Sequence, residues 1–99
     1  MKSKRSKACD ISQAVKMKVW ERDNQQCIIC HSRTAMPNAH YIPRSQGGLG
    51  VEQNIVTLCQ TCHHNYYQTD QRPIYKEYIK NYLKSKYADW SEENLIYKK

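Results

Sequence analysis

Two short cysteine pairs, Cys27-Ile28-Ile29-Cys30 and Cys59-Gln60-Thr61-Cys62, constrain this chain more than any other feature. Two residues between cysteines let both sulfurs of a pair reach one ion from a tight turn. Zn²⁺ takes four thiolates tetrahedrally, and a site closed entirely by protein ligands is structural rather than catalytic. Residues 31–58 separate the pairs, a longer stretch than in a compact zinc ribbon. A redox-active CxxC is the competing reading, but the sequence lacks a thioredoxin-like βαβ pattern. The fifth cysteine, Cys9, reads as a free thiol rather than a ligand.

A metal staple matters here because the core is thin. The chain has 99 residues, 39% of them hydrophobic, with no Phe, and a mean hydropathy of −0.91. That length suits one domain and is too short for two. So small a domain buries a limited share of its surface and needs a disulfide, a metal or a partner to fold firmly. Zinc binding supplies folding free energy on the order of 10 kcal/mol. The start, Met1 to Lys7, is basic with no apolar run behind it, unlike a signal peptide. No segment approaches the roughly 20 apolar residues that span a bilayer. The expected setting is a reducing cytoplasm without membrane contact, where paired cysteines bind metal. Lys and Arg number 16 against 9 Asp and Glu, a net charge of +7, and the pI is near 9.2. That balance favours polyanionic partners, DNA among them.

Along the chain, Met1–Cys9 reads as a flexible basic arm, and residues 10–99 as a single domain. Asp10 to Asp23 reads as a helix, capped by Asp10 with Gln13 three positions on. Its buried face is Ile11, Ala14, Val15 and Val19, joined by Trp20. Residues 27–68 form the middle. Ala39–Pro43 and Asn54–Leu58 read as short strands around the turn-rich Gly47-Gly48-Leu49-Gly50. The glycine pair implies a turn with unusual backbone angles. A short helix comes after Cys59 and carries Cys62, His63 and His64. Pro73 to Tyr87 forms a longer helix, its apolar stripe made of Ile74, Tyr75, Tyr78, Ile79, Tyr82 and Leu83. Lys76, Lys80 and Lys84 recur every four residues on another face, either solvated or a row of phosphate contacts. Asp89 or Ser91 caps a last turn, Glu92 to Tyr97.

Between and after the knuckles the order is Ala39-His40-Tyr41-Ile42-Pro43-Arg44-Ser45-Gln46-Gly47-Gly48, Asn54-Ile55-Val56-Thr57-Leu58-Cys59 and Cys62-His63. This closely resembles the HNH endonuclease family, in its subgroup with paired CxxC motifs, over roughly Val15 to Tyr67. The flanking helices are similar to those of small HNH proteins of bacteriophages. The resemblance implies an α+β, ββα-metal (His-Me finger) fold with a four-cysteine zinc site. It also implies a role for each matching residue. His40 would be the general base that deprotonates water, a task suited to an imidazole with an unperturbed pKa near 6.5. Asn54 would orient that base or join the metal site. His63 would ligate a catalytic ion through its neutral ring. That ion stabilises the scissile phosphate and the leaving 3′ oxygen, and cleavage leaves a 5′ phosphate and a 3′ hydroxyl.

Two positions depart from the family pattern. Ala39 stands where relatives carry a ligating Asp, His or Glu, and Tyr67 stands where many carry a second His. The expected ion site is therefore His63 and Asn54, with Asn38 or His64 and several waters. Such a site suits Mg²⁺ or Mn²⁺, with Ni²⁺ and Zn²⁺ as alternatives. Arg44, Lys76, Lys80 and Lys84 are the candidate DNA contacts. The function implied is nicking or cutting of double-stranded DNA with low sequence specificity, in a host cytoplasm beside a phage terminase. The rival is a catalytically weak or inactive zinc-stabilised module that binds DNA or a protein partner.

Overall fold

The computed structural model describes residues 3–98. The chain runs α1 (Lys4–Cys9), α2 (Gln13–Arg22), β1 (Ala35–His40), a 3₁₀ turn at Arg44–Gln46, β2 (Ile55–Cys59), α3 (Gln60–Gln68), α4 (Arg72–Lys86) and a closing 3₁₀ turn at Glu92–Leu95. β1 and β2 pair antiparallel and α3 follows at once, so the α+β class holds and the centre is a ββα unit. No helix among the described residues is long and apolar enough to cross a membrane.

Three boundaries differ from the sequence reading, each for a physical reason. The basic arm is helical from Lys4 onward, and Met1 and Lys2 lie outside the described residues. Ser3 Oγ accepts the Ser6 N–H to start α1, and Cys9 is buried at its end. Asp10 therefore closes α1 rather than opening the next helix. Ser12 caps α2 instead, its Oγ accepting the Val15 N–H. Of the apolar face expected there, Val19 alone is fully buried and Ala14 is exposed.

The first strand begins and ends earlier than Ala39–Pro43. Its register matches Ala35 with Cys59, Met36 with Leu58, Ala39 with Val56 and His40 with Ile55. An irregularity falls between Met36 and Ala39, where Pro37 has no N–H to give the ladder. The strand stops at His40 because Asn54 captures the next two residues. The Asn54 carbonyl accepts the Tyr41 N–H at 2.7 Å, and its side-chain Oδ1 accepts the Ile42 N–H at 2.8 Å. Ile42 thus leaves the ladder, and the chain turns at Pro43.

β2 is buried along its whole length. Val56 and Leu58 join Tyr41, Tyr66, Ile79, Leu83 and Leu95 in the main core. Full burial of each aliphatic side chain contributes about 1.5–3 kcal/mol. The α4 stripe narrows to Ile79 and Leu83 on the buried side, while Ile74 and Tyr78 are exposed. Behind the sheet, Arg22 and the buried Asp23 pin three elements together. Arg22 donates to the carbonyls of Glu52 and Ile55, both at 2.7 Å. Asp23 accepts from the Thr57 N–H at 2.8 Å and from the Tyr82 hydroxyl at 2.5 Å.

The glycine loop is held from two sides. Gly47 takes a left-handed φ of 82°, as a turn end requires. Gly48 has another reason to be glycine, since a Cβ there would meet the Ile42 carbonyl oxygen at 1.7 Å. The C-terminal segment pairs with this loop through Leu49 N–H to the Leu95 carbonyl and Tyr97 N–H to the Gly47 carbonyl, both at 2.8 Å. On the other side lies the end of α1, where Gly50 N–H donates to the Ala8 carbonyl at 2.9 Å.

Candidate active site and metal centre

The two cysteine pairs meet because the first knuckle is hydrogen-bonded to β2. Ile28 N–H donates to the Thr57 carbonyl at 3.0 Å, two residues before Cys59. Within the knuckle His31 N–H donates to the Cys27 carbonyl at 3.0 Å, with His31 at a φ of 64°. In the second pair, Cys59 Sγ accepts the Cys62 N–H at 3.4 Å and caps α3. The four sulfurs of Cys27, Cys30, Cys59 and Cys62 lie within 4.8 Å of one another, and Cys30 Sγ stands 3.4 Å from Cys59 Sγ. Tetrahedral thiolates about 2.3 Å from Zn²⁺ sit roughly 3.8 Å apart, so the group could hold a metal ion such as zinc.

Electrostatics agree with that reading. Burial pushes the Cys62 thiol up, and the Cys59 and Cys27 sulfurs push it further. Burial also opposes ionisation of Cys27, but backbone N–H groups of Cys30, Cys59 and Ile29 outweigh it and bring that thiol to about 7. Four thiolates this close need a cation to offset their mutual repulsion. Cys9 stays a buried free thiol apart from the group.

A second site opens beside β1 and α3. His40 and His63 share an open cleft of about 600 Å³ with Asp10, Lys16, Asn38 and Arg44. His40 ends β1 and is 7% exposed. Its Nε2 lies 2.9 Å from the Cys9 carbonyl oxygen. A carbonyl only accepts, so Nε2 carries the ring proton and Nδ1 keeps a free lone pair. Burial lowers the His40 pKa below the ordinary imidazole value, with the Arg44 charge acting in the same direction against the Cys9 carbonyl and Asp10. His63 follows Cys62 on α3, is half-buried, and is lowered by burial. Both rings are thus neutral near pH 7. Tyr67, one turn on, stacks against His63 with centroids 4.5 Å apart and donates its hydroxyl to the His40 carbonyl. Tyr67 therefore ties α3 to the end of β1, where a histidine would have offered a ligand.

Asn54 is not in this cleft. Its side chain is 0% exposed. Nδ2 donates to the carbonyls of Ile42, at 3.2 Å, and Leu49, at 2.9 Å, while Oδ1 accepts from Ile42. This corrects the expectation that Asn54 joins the metal site. It holds His40 indirectly, by fixing the two residues after it. Ala39 is also fully buried and faces the core. Among the described residues, the four cysteines alone form a group of three or more candidate ligands, so the cleft offers no such cluster. What it offers is the His63 imidazole, which fits an ion otherwise held by water and substrate, with Asn38 beside it.

The expected DNA contacts divide. Arg44 lines the cleft, its Nη1 donating to the Cys9 carbonyl at 2.8 Å and its Nη2 paired with Asp10 at 2.9 Å. The three lysines do not line it. Lys76 lies over the Tyr41 ring, 5.9 Å from its centroid, and Lys80 pairs with Glu92 at 3.4 Å. Lys84 is exposed, as are His31 and His64. Sequence reasoning missed Lys16, Asp10 and the Cys9 carbonyl. Asp10 carried a visible signal as a cap, but for the wrong helix.

A family model described as HNH endonuclease matches residues 27–79, from the first knuckle to the middle of α4. The chain belongs to the HNH endonuclease family. Membership suggests nuclease activity. Among curated proteins, this HNH chain is similar to Anaredoxin of Nostoc sp. (strain PCC 7120 / SAG 25.82 / UTEX 2576), 38% identical over 47 residues. The match covers 46% of this chain and 62% of that protein, so the chain spans less than two thirds of the relative's length. No solved structure matches the chain.

Proposed function

We propose that this protein is a metal-dependent endonuclease that cleaves phosphodiester bonds in DNA with little sequence preference. One observation carries the reading: His40 lines the same cleft as His63, and its Nε2 is engaged by the Cys9 carbonyl, which leaves Nδ1 without a proton and able to accept one. In the proposed reaction Nδ1 takes a proton from a water molecule as its oxygen attacks phosphorus. The bond to the 3′ oxygen breaks, which leaves a 5′ phosphate, and the departing oxygen takes a proton from solvent water to become a 3′ hydroxyl. A divalent ion on His63 would stabilise charge on the phosphate and the departing oxygen. Arg44 and Lys16 line the cleft, which supports contacts to the phosphate backbone, and such contacts carry little sequence information. The tetrathiolate group is assigned to structural zinc.

The test is a plasmid-nicking assay with protein treated with EDTA and then resupplied with Mg²⁺, Mn²⁺, Ni²⁺ or Zn²⁺. Nicking should return with at least one of these ions at constant structural zinc. The scarcity of protein ligands in the cleft favours a second reading, a zinc-stabilised DNA-binding module without turnover. That module would bind DNA in a salt-sensitive way and leave the plasmid supercoiled with every ion.

A further inference from the structure

Residues 27–79 carry the family match, yet the atom that fixes the His40 ring lies outside them. We propose that the Cys9–Asp10 segment, at the end of α1, is a positioning part of the active site that sets the tautomer of His40 and the placement of Arg44. The proposal rests on the nuclease reading and deepens it.

The Cys9 carbonyl is among the last four of a helix, which have no partner within it. It accepts from His40 Nε2 at 2.9 Å and from Arg44 Nη1 at 2.8 Å, so both of its lone pairs are engaged by cleft residues. The next residue, Asp10, pairs with Arg44 Nη2 at 2.9 Å. One dipeptide therefore holds both the base and the cation beside it. A ring whose Nε2 is bound to a carbonyl is held as the Nε2–H tautomer, which leaves Nδ1 unprotonated and able to accept a proton from a substrate water.

The segment is itself held firmly. Gly50 N–H donates to the Ala8 carbonyl at 2.9 Å, and Arg5 donates to the Ser45 carbonyl at 3.1 Å. A Cβ at position 50 would meet the Asp10 carbonyl oxygen at 2.0 Å and that of Cys9 at 3.0 Å. The atoms nearest such a Cβ are backbone atoms of Asp10 and Cys9, so a methyl group there pushes on the segment itself while every cleft residue keeps its identity.

The experiment uses the full-length zinc-loaded chain and reads two things, plasmid nicking and the ¹⁵N shifts of the His40 ring at neutral pH. The parent should show the Nε2–H tautomer. In Gly50→Ala, kcat should fall about 100-fold, the scale expected for a misplacement near 1 Å. KM and zinc content should stay level, and the ring should become a tautomer mixture. Asp10→Ala should lower kcat about tenfold, the smaller effect of loosening the Arg44 contact while the Cys9 carbonyl is kept. Charge alone would predict tighter DNA binding from this variant and no loss of kcat. An Nδ1–H ring in the parent overturns the proposal, as does a folded Gly50→Ala with parental kcat and shifts. If Gly50→Ala does not fold, parental kcat and shifts in Asp10→Ala overturn it instead. A parent that never nicks, but keeps the Nε2–H tautomer, refutes the nuclease reading and leaves the positional one standing.

Discussion

The cysteine knuckle and the histidine cleft meet at adjacent residues, Cys62 and His63, yet they are furnished in opposite ways. The knuckle is closed. Four side chains from two short pairs supply every ligand a tetrahedral ion needs. The cleft is open. It is lined by two imidazoles, the Arg44 guanidinium and Lys16, and it brings together no cluster of three or more candidate ligands among the described residues. The same ββα unit thus separates stability from reaction. In the proposed function, a fully wrapped ion would hold the fold, and a loosely held one could exchange ligands during turnover.

The sharpest way to break this contrast is to remove the closed ion. Chelation strong enough to strip zinc, or Cys59→Ser, should abolish the cooperative unfolding transition, since the ion supplies on the order of 10 kcal/mol to a thin core. Calorimetry checks this. A stripped chain that still melts cooperatively near the parental temperature would mean that the knuckle is not the staple.

A smaller effect is expected at Asn54, which belongs to neither site but holds the loop between them. Asn54→Ala leaves the Ile42 N–H and the Leu49 carbonyl without their partners. The cost should be about 2–4 kcal/mol in urea denaturation, with the slope unchanged. Zinc content should be unaffected, and nicking should drop as His40 loses its anchor. If stability is unchanged, the amide is not a brace.

The mildest effect is on pH. Burial lowers the His40 pKa, so the folded ring gives up its proton at a lower pH than a free imidazole does. The unprotonated base therefore persists as pH falls through the ordinary value of about 6.5. The acid limb of kcat/KM should lie below that value. A limb above it would mean that something other than burial governs the ring.

Legibility in the sequence divides along the same line. The knuckle was readable because its ligands are paired by spacing and need no tertiary information. The start of α3 and both ends of α4 were readable within a residue, because Cys59 and Pro73 mark where they begin. α1 was not readable. Residues 4–9 contain one strongly apolar position, Cys9, and are held through a backbone bond to Gly50 and the Arg5 guanidinium on the Ser45 carbonyl rather than through an apolar face. The end of β1 was misplaced for a similar reason, since the Asn54 amide, far along the chain, terminates it. His40 and His63 were found by resemblance, whereas their shared cleft depends on contacts from α1 that no local pattern encodes. Asn54 was singled out by resemblance, and its use as a backbone brace emerges only from the loop it grips.

The division between a closed ion and an open site is tested most directly by His40→Ala, measured for zinc per chain and for plasmid nicking in the same preparation. The expected result is one zinc retained, an unchanged melting temperature and a nicking rate lower by about 10²–10⁴-fold. A His40→Ala protein that nicks at the parental rate, or that loses its zinc along with its activity, would contradict that division.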